Sequence, residues 1–333
     1  MRFECLIEMG SHKRKSSCIT DHFSCDSPSY RKNKCSKQEK NKKCEQKRKE
    51  ARYGNYHQYY GYRNIGTMDS RIQCMKQEWF VDKDVLDIGC NAGHFTLALA
   101  RDLKPRSIIG IDIDNELVKM AMKNVRHYIT SENISETSFP LSLVINYGPV
   151  AQVLDPKGRY SIGEFPFNVQ FLQANYILPS DAYLNYEESL FDTILCLSLT
   201  KWIHLNWGDA GIKRLFNRIF KQLNPGGYLI LEAQTYQSYA RRKKINEEVL
   251  KHYKEIKLFP EMFNEFLLKE VGFQSCELID VPAHASKGFS RPLYLFKKAD
   301  DVEHISEKKP KHIVYDSASE DSCDDSDVET FSD

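Results

Sequence analysis

Between about Val81 and Lys298, short runs of β-branched and other apolar residues alternate with stretches whose apolar positions recur every three or four residues. The runs predict strands at Val85–Ile88, Ser107–Asp112, Asn168–Ala174, Phe191–Leu197, Tyr228–Glu232, Phe273–Asp280 and Arg291–Phe296. The helical spacing predicts helices at Phe95–Asp102, Asn115–Tyr128, Gly211–Leu223 and Pro260–Glu270, with NPGG from Asn224 to Gly227 ending the third. Strand and helix in alternation read as an open α/β sheet. The last two strands have no helix between them, so they are expected to pair antiparallel at the edge. From Thr130 to Phe167 the rhythm breaks, with Pro140, Pro149, Pro156 and Pro166 and little periodicity, which reads as a surface insertion.

Charge is distributed unevenly along the chain. The 333 residues carry 47 basic and 46 acidic side chains, a net of +1. From Lys13 to Arg52 there are 14 Lys or Arg against 5 Asp or Glu, whereas Asp316 to Asp333 holds 8 acidic residues and no Lys or Arg. Both ends are poor in large apolar residues, so disorder is expected there. The expected division is a basic arm over 1–52, one α/β domain over 53–298 and an acidic tail over 299–333. A basic arm of this kind suits nuclear import or a phosphate backbone, or is only a solvating tail; Ser317, Ser319, Ser322 and Ser326 among carboxylates suit an acidophilic kinase, or belong to an unmodified solvating tail. Ten scattered cysteines without C-x-x-C spacing, and no apolar leader at Met1, argue for a reducing compartment. Cys18, His22, Cys25, Cys35 and Cys44 have gaps unlike the short knuckles of structural zinc sites, so no metal is expected. No apolar stretch has the length of a membrane span.

The candidate chemistry gathers at strand ends. In VLDIGCNAGH, Val85 to His94, a strand runs into Gly89, Asn91 and Gly93 and then into a helix. A dinucleotide fingerprint would need a glycine where Asn91 stands, so a loop built for pyrophosphate is disfavoured. Asp112 ends the second strand, placed to accept hydrogen bonds from ribose hydroxyls. NAD enzymes use the same device, but the Asn91 loop, the final hairpin and the lack of a hydride-transfer set favour a methyl donor. Across the same crevice, LCLSLTKWIHLNWGD (Leu195 to Asp209) lacks the Asn or Asp, prolines and aromatic of amine methylation. It offers Ser198, Thr200, Lys201, Trp202 and His204, donors and positive charge suited to an anionic acceptor. YGNYHQYYGYRN, Tyr53 to Asn64, adds five tyrosines and Arg63, and reads as either a sticky linker or a lid that stacks and grips phosphate. A basic run from Tyr239 to Lys257 suits either a phosphate backbone or a solvated helix face.

Those motifs, together with GIDID, NPGGYLILE and SKGFSRPLYLF, resemble the bicoid-interacting-type RNA methyltransferases over about Tyr53 to Lys298. The resemblance implies a Rossmann-like class I S-adenosylmethionine-dependent methyltransferase, with a mostly parallel seven-stranded sheet and a C-terminal antiparallel hairpin. It implies a lid over 53–80 and S-adenosyl-L-methionine as cofactor, touched by Tyr60, Arg71, Gly89, Asn91, Asp112, Ile113, Asn175, Tyr176 and Leu197. Tyr59, Arg63 and Lys201 are implied as phosphate ligands, with Trp202, His204 and Trp207 either bounding the RNA end or serving as structural aromatics. The motifs fit best the branch that methylates the γ-phosphate of a 5′-triphosphate small nuclear RNA in the nucleus, with a La-related protein as companion in a ribonucleoprotein. Methylation of a 5′ monophosphate, as by a relative, and an RNA-sheltering scaffold without turnover are the alternatives.

Overall fold

Val85 and Leu86 face opposite sides of the central strand. Val85 packs in one core layer with Leu97, Ile108, Val118 and Phe171, while Leu86 and Ile88 pack in the other with Ile194, Ile212, Phe216 and Ile219. A strand covered on both faces reads as a continuous apolar run, which is why its sequence does not alternate. Full burial of each such side chain contributes about 1.5–3 kcal/mol, so these two layers hold the sheet between its helices. The computed structural model describes residues 52–129 and 164–300, apart from 57–58, 64–68, 285 and 287.

The strands are β1 (Asp84–Ile88), β2 (Ser107–Asp112), β3 (Val169–Gln173), β4 (Phe191–Leu197), β5 (Leu223–Glu232), β6 (Ser275–Asp280) and β7 (Leu293–Lys297). They form one sheet in the order β3-β2-β1-β4-β5-β7-β6. β1 pairs in parallel with β2 and β4, Val85 standing opposite Ile108 and Thr193. β7 is antiparallel to both neighbours and lies between β5 and β6. The expected hairpin is therefore present, with β6 as its outer, edge strand. The chain builds outward from β1 to β3, then crosses to β4 on the other side, so the switch point lies between β1 and β4.

The helices are α1 (Tyr59–Arg63), α2 (His94–Asp102), α3 (Asn115–Asn124), α4 (Thr200–Gln222) and α5 (Glu247–Glu255). Asp114 and Asn246 cap α3 and α5 by accepting from the backbone N–H of Glu116 and Val249. Four places differ from the sequence reading. α4 begins at Thr200 rather than Gly211, interrupted at Gly208 with φ 61°. Residues 202–206 are buried all round, so they show no amphipathic stripe to mark a helix. β5 takes in the whole of NPGG, because it starts at Leu223, which already pairs with Phe191. The helix expected over Pro260–Glu270 is a 3₁₀ turn, a single α-turn and a π-turn in succession.

The fourth is Phe165, which the sequence pattern assigns to the insertion, yet it is buried in the core layer that contains Val85. Arg52, read as the end of the arm, is held to the domain: its Nε donates to Asn206 at 2.7 Å and its Nη2 meets Glu248 at 2.6 Å. The rest of the arm with its cysteines, residues 130–163 and the acidic tail after Asp300 lie outside the described residues. Among the described residues, no group of His, Cys, Asp and Glu is placed to hold a metal ion, and no helix is long and apolar enough to cross a membrane.

Candidate active site

A cavity of about 630 Å³ opens at the carboxyl ends of β1 and β4, the position that the switch point dictates. Its first half is built by the loop after β1. Gly89, Asn91 and Gly93 all have positive φ, at 78°, 53° and 76°. At Gly93 packing also requires glycine, since a Cβ would stand 2.7 Å from Phe171 Cζ and 2.8 Å from Ala121 Cβ. Gly93→Ala should cost roughly 2–4 kcal/mol from left-handed backbone plus overpacking, read as a lowered thermal midpoint. An unchanged midpoint would mean that the loop relaxes freely.

Asn91 tolerates its positive φ by local bonding. Its Oδ1 accepts from the Ala92 N–H at 2.8 Å, and its Nδ2 donates to the Tyr56 carbonyl at 3.3 Å. Asp112 accepts from the backbone N–H of Asn91 and of Asp114, both at 2.9 Å. Each of its oxygens keeps a further lone pair, and the carboxylate lines the cavity. Burial pushes the Asp112 carboxyl up; it pushes Asp87 up to about 6, although the Thr96 hydroxyl donates to Asp87 at 2.6 Å. Ile113, Asn175 and Tyr176 line the same half from the loops after β2 and β3, with Leu197 buried beside them. Asn175 accepts from the Ile177 N–H at 3.0 Å, and the Tyr176 hydroxyl donates to Gln222 at 2.8 Å. Tyr60 closes the remaining side, edge-on to His94 at 5.0 Å, together with Arg71, which stands 4.5 Å over the Phe95 ring.

Between the halves lies Glu232, the last residue of β5 and 1% exposed. Arg71, Arg63 and Arg291 meet its carboxylate at 2.9, 3.3 and 3.0 Å, and the Ser198 hydroxyl donates to it at 2.8 Å. Asp69 joins as a second carboxylate, 2.7 Å from Arg71 and 3.3 Å from Arg63. Burial pushes the Glu232 carboxyl up, but the guanidiniums of Arg71, Arg63 and Arg291 outweigh it and hold it below the ordinary range. Three guanidiniums share two carboxylates, which leaves one surplus positive charge. The structure sets Arg63 apart from the expected phosphate ligands: it is 5% exposed, committed to Glu232 and Asp69, and outside the cavity wall. It reaches the cavity through Tyr59, donating to that hydroxyl at 2.9 Å.

The second half is built by the start of α4 and the tyrosine-rich segment. Ser198 turns the chain with φ 57°, and Gln234 caps the helix by accepting from the Thr200 hydroxyl at 3.1 Å and the Lys201 N–H at 3.0 Å. Lys201 then stands in the cavity with Arg291, Arg242 and Arg241. Burial and these three positive neighbours push its ammonium down to about 8. Gly54 crosses the Trp202 indole where no Cβ would fit, Tyr53 stacks on Trp207 at 5.6 Å, and Arg242 lies 5.2 Å over Tyr56. Trp202 and Trp207 thus line the wall, whereas His204 is fully buried against Asp209 at 2.7 Å and is structural. Arg291, Glu232, Asp69 and Gln234 escaped the sequence reading. A charged residue ending an apolar strand, as Glu232 ends YLILE, was the available signal.

A family model described as Bicoid-interacting protein 3 (Bin3) matches residues 191–298, and a methyltransferase-domain model matches residues 85–143. The U6 snRNA methylphosphate capping enzyme Amus of Drosophila melanogaster is 39% identical over 253 residues, which cover 74% of this chain and 75% of that protein. The chain belongs to the bicoid-interacting protein 3 family. The 7SK snRNA methylphosphate capping enzyme of Homo sapiens is 43% identical over 275 residues, covering 76% of this chain and 40% of that protein. The chain therefore spans less than half the length of that relative. A pre-miRNA 5′-monophosphate methyltransferase of Danio rerio is more distant, 26% identical over 275 residues, covering 74% of this chain and 92% of that protein. The fold is that of the Rossmann-like class I methyltransferases, a mostly parallel seven-stranded sheet with antiparallel C-terminal strands.

Proposed function

We propose that this chain is an S-adenosylmethionine-dependent RNA methyltransferase that acts on the γ-phosphate of a 5′-triphosphate small nuclear RNA, in the manner of 7SK capping. The observation that carries this reading is the charge of the second half of the cavity: Lys201, Arg241 and Arg242, none of them ion-paired among the described residues, stand beside Arg291. Unbalanced positive charge in a partly buried cavity calls for an anion, not an amine or a neutral hydroxyl.

The first half fits the cofactor. The glycine loop leaves room for close approach, and Asp112 offers lone pairs to ribose hydroxyls. Arg71 has five N–H groups; with three committed to Asp69 and Glu232, two remain for a carboxylate. When bound, S-adenosylmethionine supplies an electrophilic methyl group on a sulfonium. A phosphate oxygen is already anionic at neutral pH, so no side chain needs to remove a proton. The work of the chain is positioning. Lys201 and Arg291 grip the oxygens that do not react, and Tyr59, whose oxygen accepts from Arg63, keeps its own O–H to donate. Tyr53 to Tyr56, with Tyr59 and Tyr60, line the cavity and exclude water from it. Arg63 acts from behind, by orienting Tyr59.

Asp112→Ala should weaken cofactor binding at least about tenfold, as expected for losing a charged hydrogen bond worth about 1.5–3 kcal/mol. Calorimetry with S-adenosylhomocysteine checks this; unchanged affinity would remove Asp112 from the site. The reaction itself is tested by labelled methyl transfer to one RNA ending in triphosphate, monophosphate or hydroxyl. Transfer should be strongest to the triphosphate and absent from the hydroxyl end. Equal or better transfer to the monophosphate would favour the alternative acceptor, and binding without transfer to any end would favour a sheltering scaffold. Relatives named for small nuclear RNAs support a nuclear place of action. A La-related companion rests on the family resemblance alone.

A further inference from the structure

By exposure, the cations of the acceptor half run from the strand ends to the mouth. Arg291 has a side chain 14% exposed and is anchored on Glu232; Lys201 and Arg242 are half-buried; Arg241 is exposed. The last two come from the 3₁₀ turn after β5, Tyr236–Arg241, and the residue that follows it. Arg242 is fixed at the mouth by its contact with the Tyr56 ring at 5.2 Å. The cofactor half has its own carboxylates, Asp87 and Asp112, but neither is ion-paired with these cations, and neither Arg241 nor Arg242 is ion-paired among the described residues. A single terminal phosphate engages the inner pair, Lys201 and Arg291. It leaves the outer pair without a counter-ion.

We propose that Arg241 and Arg242 are specificity-determining residues that set the length of the 5′ phosphate chain, by meeting the two phosphates nearer the RNA while Lys201 and Arg291 hold the terminal one. This rests on the reaction proposed above for the same cavity. Each added phosphate brings one more negative charge toward the mouth, where a planar guanidinium matches a pair of phosphate oxygens. A monophosphate end reaches only the inner cations, so discrimination arises at residues that never touch the reacting oxygen. A nonspecific backbone contact would behave differently, since it would strengthen every RNA alike.

The experiment measures binding of one short RNA carrying a 5′ mono-, di- or triphosphate to the full chain with S-adenosylhomocysteine present. The unaltered chain should prefer triphosphate over monophosphate by about tenfold or more, with the diphosphate between. Arg241→Gln with Arg242→Gln should bring that preference within about twofold, while monophosphate affinity changes less than about threefold. If the double variant folds poorly, Arg241→Gln alone, at an exposed position, should still narrow the ratio. A retained ratio, or an equal loss for all three RNAs, overturns the assignment. Methyl transfer measured in parallel separates the two ideas. A chain that discriminates in binding but transfers nothing sinks the reaction and leaves the ruler standing; one that transfers methyl yet binds mono- and triphosphate ends alike sinks the ruler and leaves the reaction.

Discussion

Lys201→Ala should leave cofactor binding within about twofold of the unaltered chain and lower methyl transfer to triphosphate RNA by about a hundredfold or more. The side chain stands on the acceptor half of the cavity, and its loss removes both a locator of the phosphate and the charge that balances it. The same residue imposes a pH dependence. Burial, with Arg291, Arg242 and Arg241 nearby, pushes its ammonium down to about 8, so the free protein carries that charge below pH 8 and loses it above. Affinity for the triphosphate end should therefore fall as pH rises through 8. Bound phosphate favours the charged form and moves the titration upward again. Lys201→Arg stays charged throughout, so it should flatten the pH profile without restoring full turnover, because a planar fork does not replace a compact ammonium. Full turnover in Lys201→Ala, with only a changed salt dependence, would make Lys201 an outer backbone contact.

Glu232→Gln should lower the stability of the domain severely. The substitution keeps shape but leaves Arg63 and Arg71 with Asp69 as their one carboxylate and Arg291 with none among the described residues. Breaking a buried charge network by removing one partner costs about 3–5 kcal/mol. For a domain of this size that is a fall in thermal midpoint of roughly 6–20 °C. The sign with pH follows from the direction of the shift: Glu232 is held below the ordinary carboxylate range, so its stabilisation is present above that range and disappears as pH falls through the depressed value. The gap between Glu232→Gln and the unaltered chain should accordingly close in acid. A midpoint within 2 °C at neutral pH would show that solvent or relaxation replaces the lost carboxylate.

What the sequence displayed, and what it hid, divides along a physical line. Strands buried on both faces show as apolar runs, so β2 and β4 were legible to the residue, and the glycine loop and Asp112 were legible because left-handed backbone and a strand-end carboxylate leave local marks. The first turns of α4 were hidden because their residues are buried on every side and Gly208 interrupts the helix. The site's charge balance was hidden for another reason. Arg63 looked like a free phosphate ligand within its own segment, and only the fold brings it to Glu232, 169 positions away. Arg291 was hidden in the same way, since its neighbours in sequence are a proline and a strand while its partners, Ser198 and Glu232, stand 93 and 59 positions away. Pairing across a sheet is the property that periodicity does not carry.

Digesting methylated triphosphate RNA to nucleotides and locating the methyl group by mass spectrometry tests most directly whether methyl goes to a terminal phosphate oxygen held by the second half of the cavity. The methyl should lie on the γ-phosphate of the first nucleotide, with ribose and base unmodified. Methyl found on a base nitrogen or a ribose hydroxyl would rule that acceptor out.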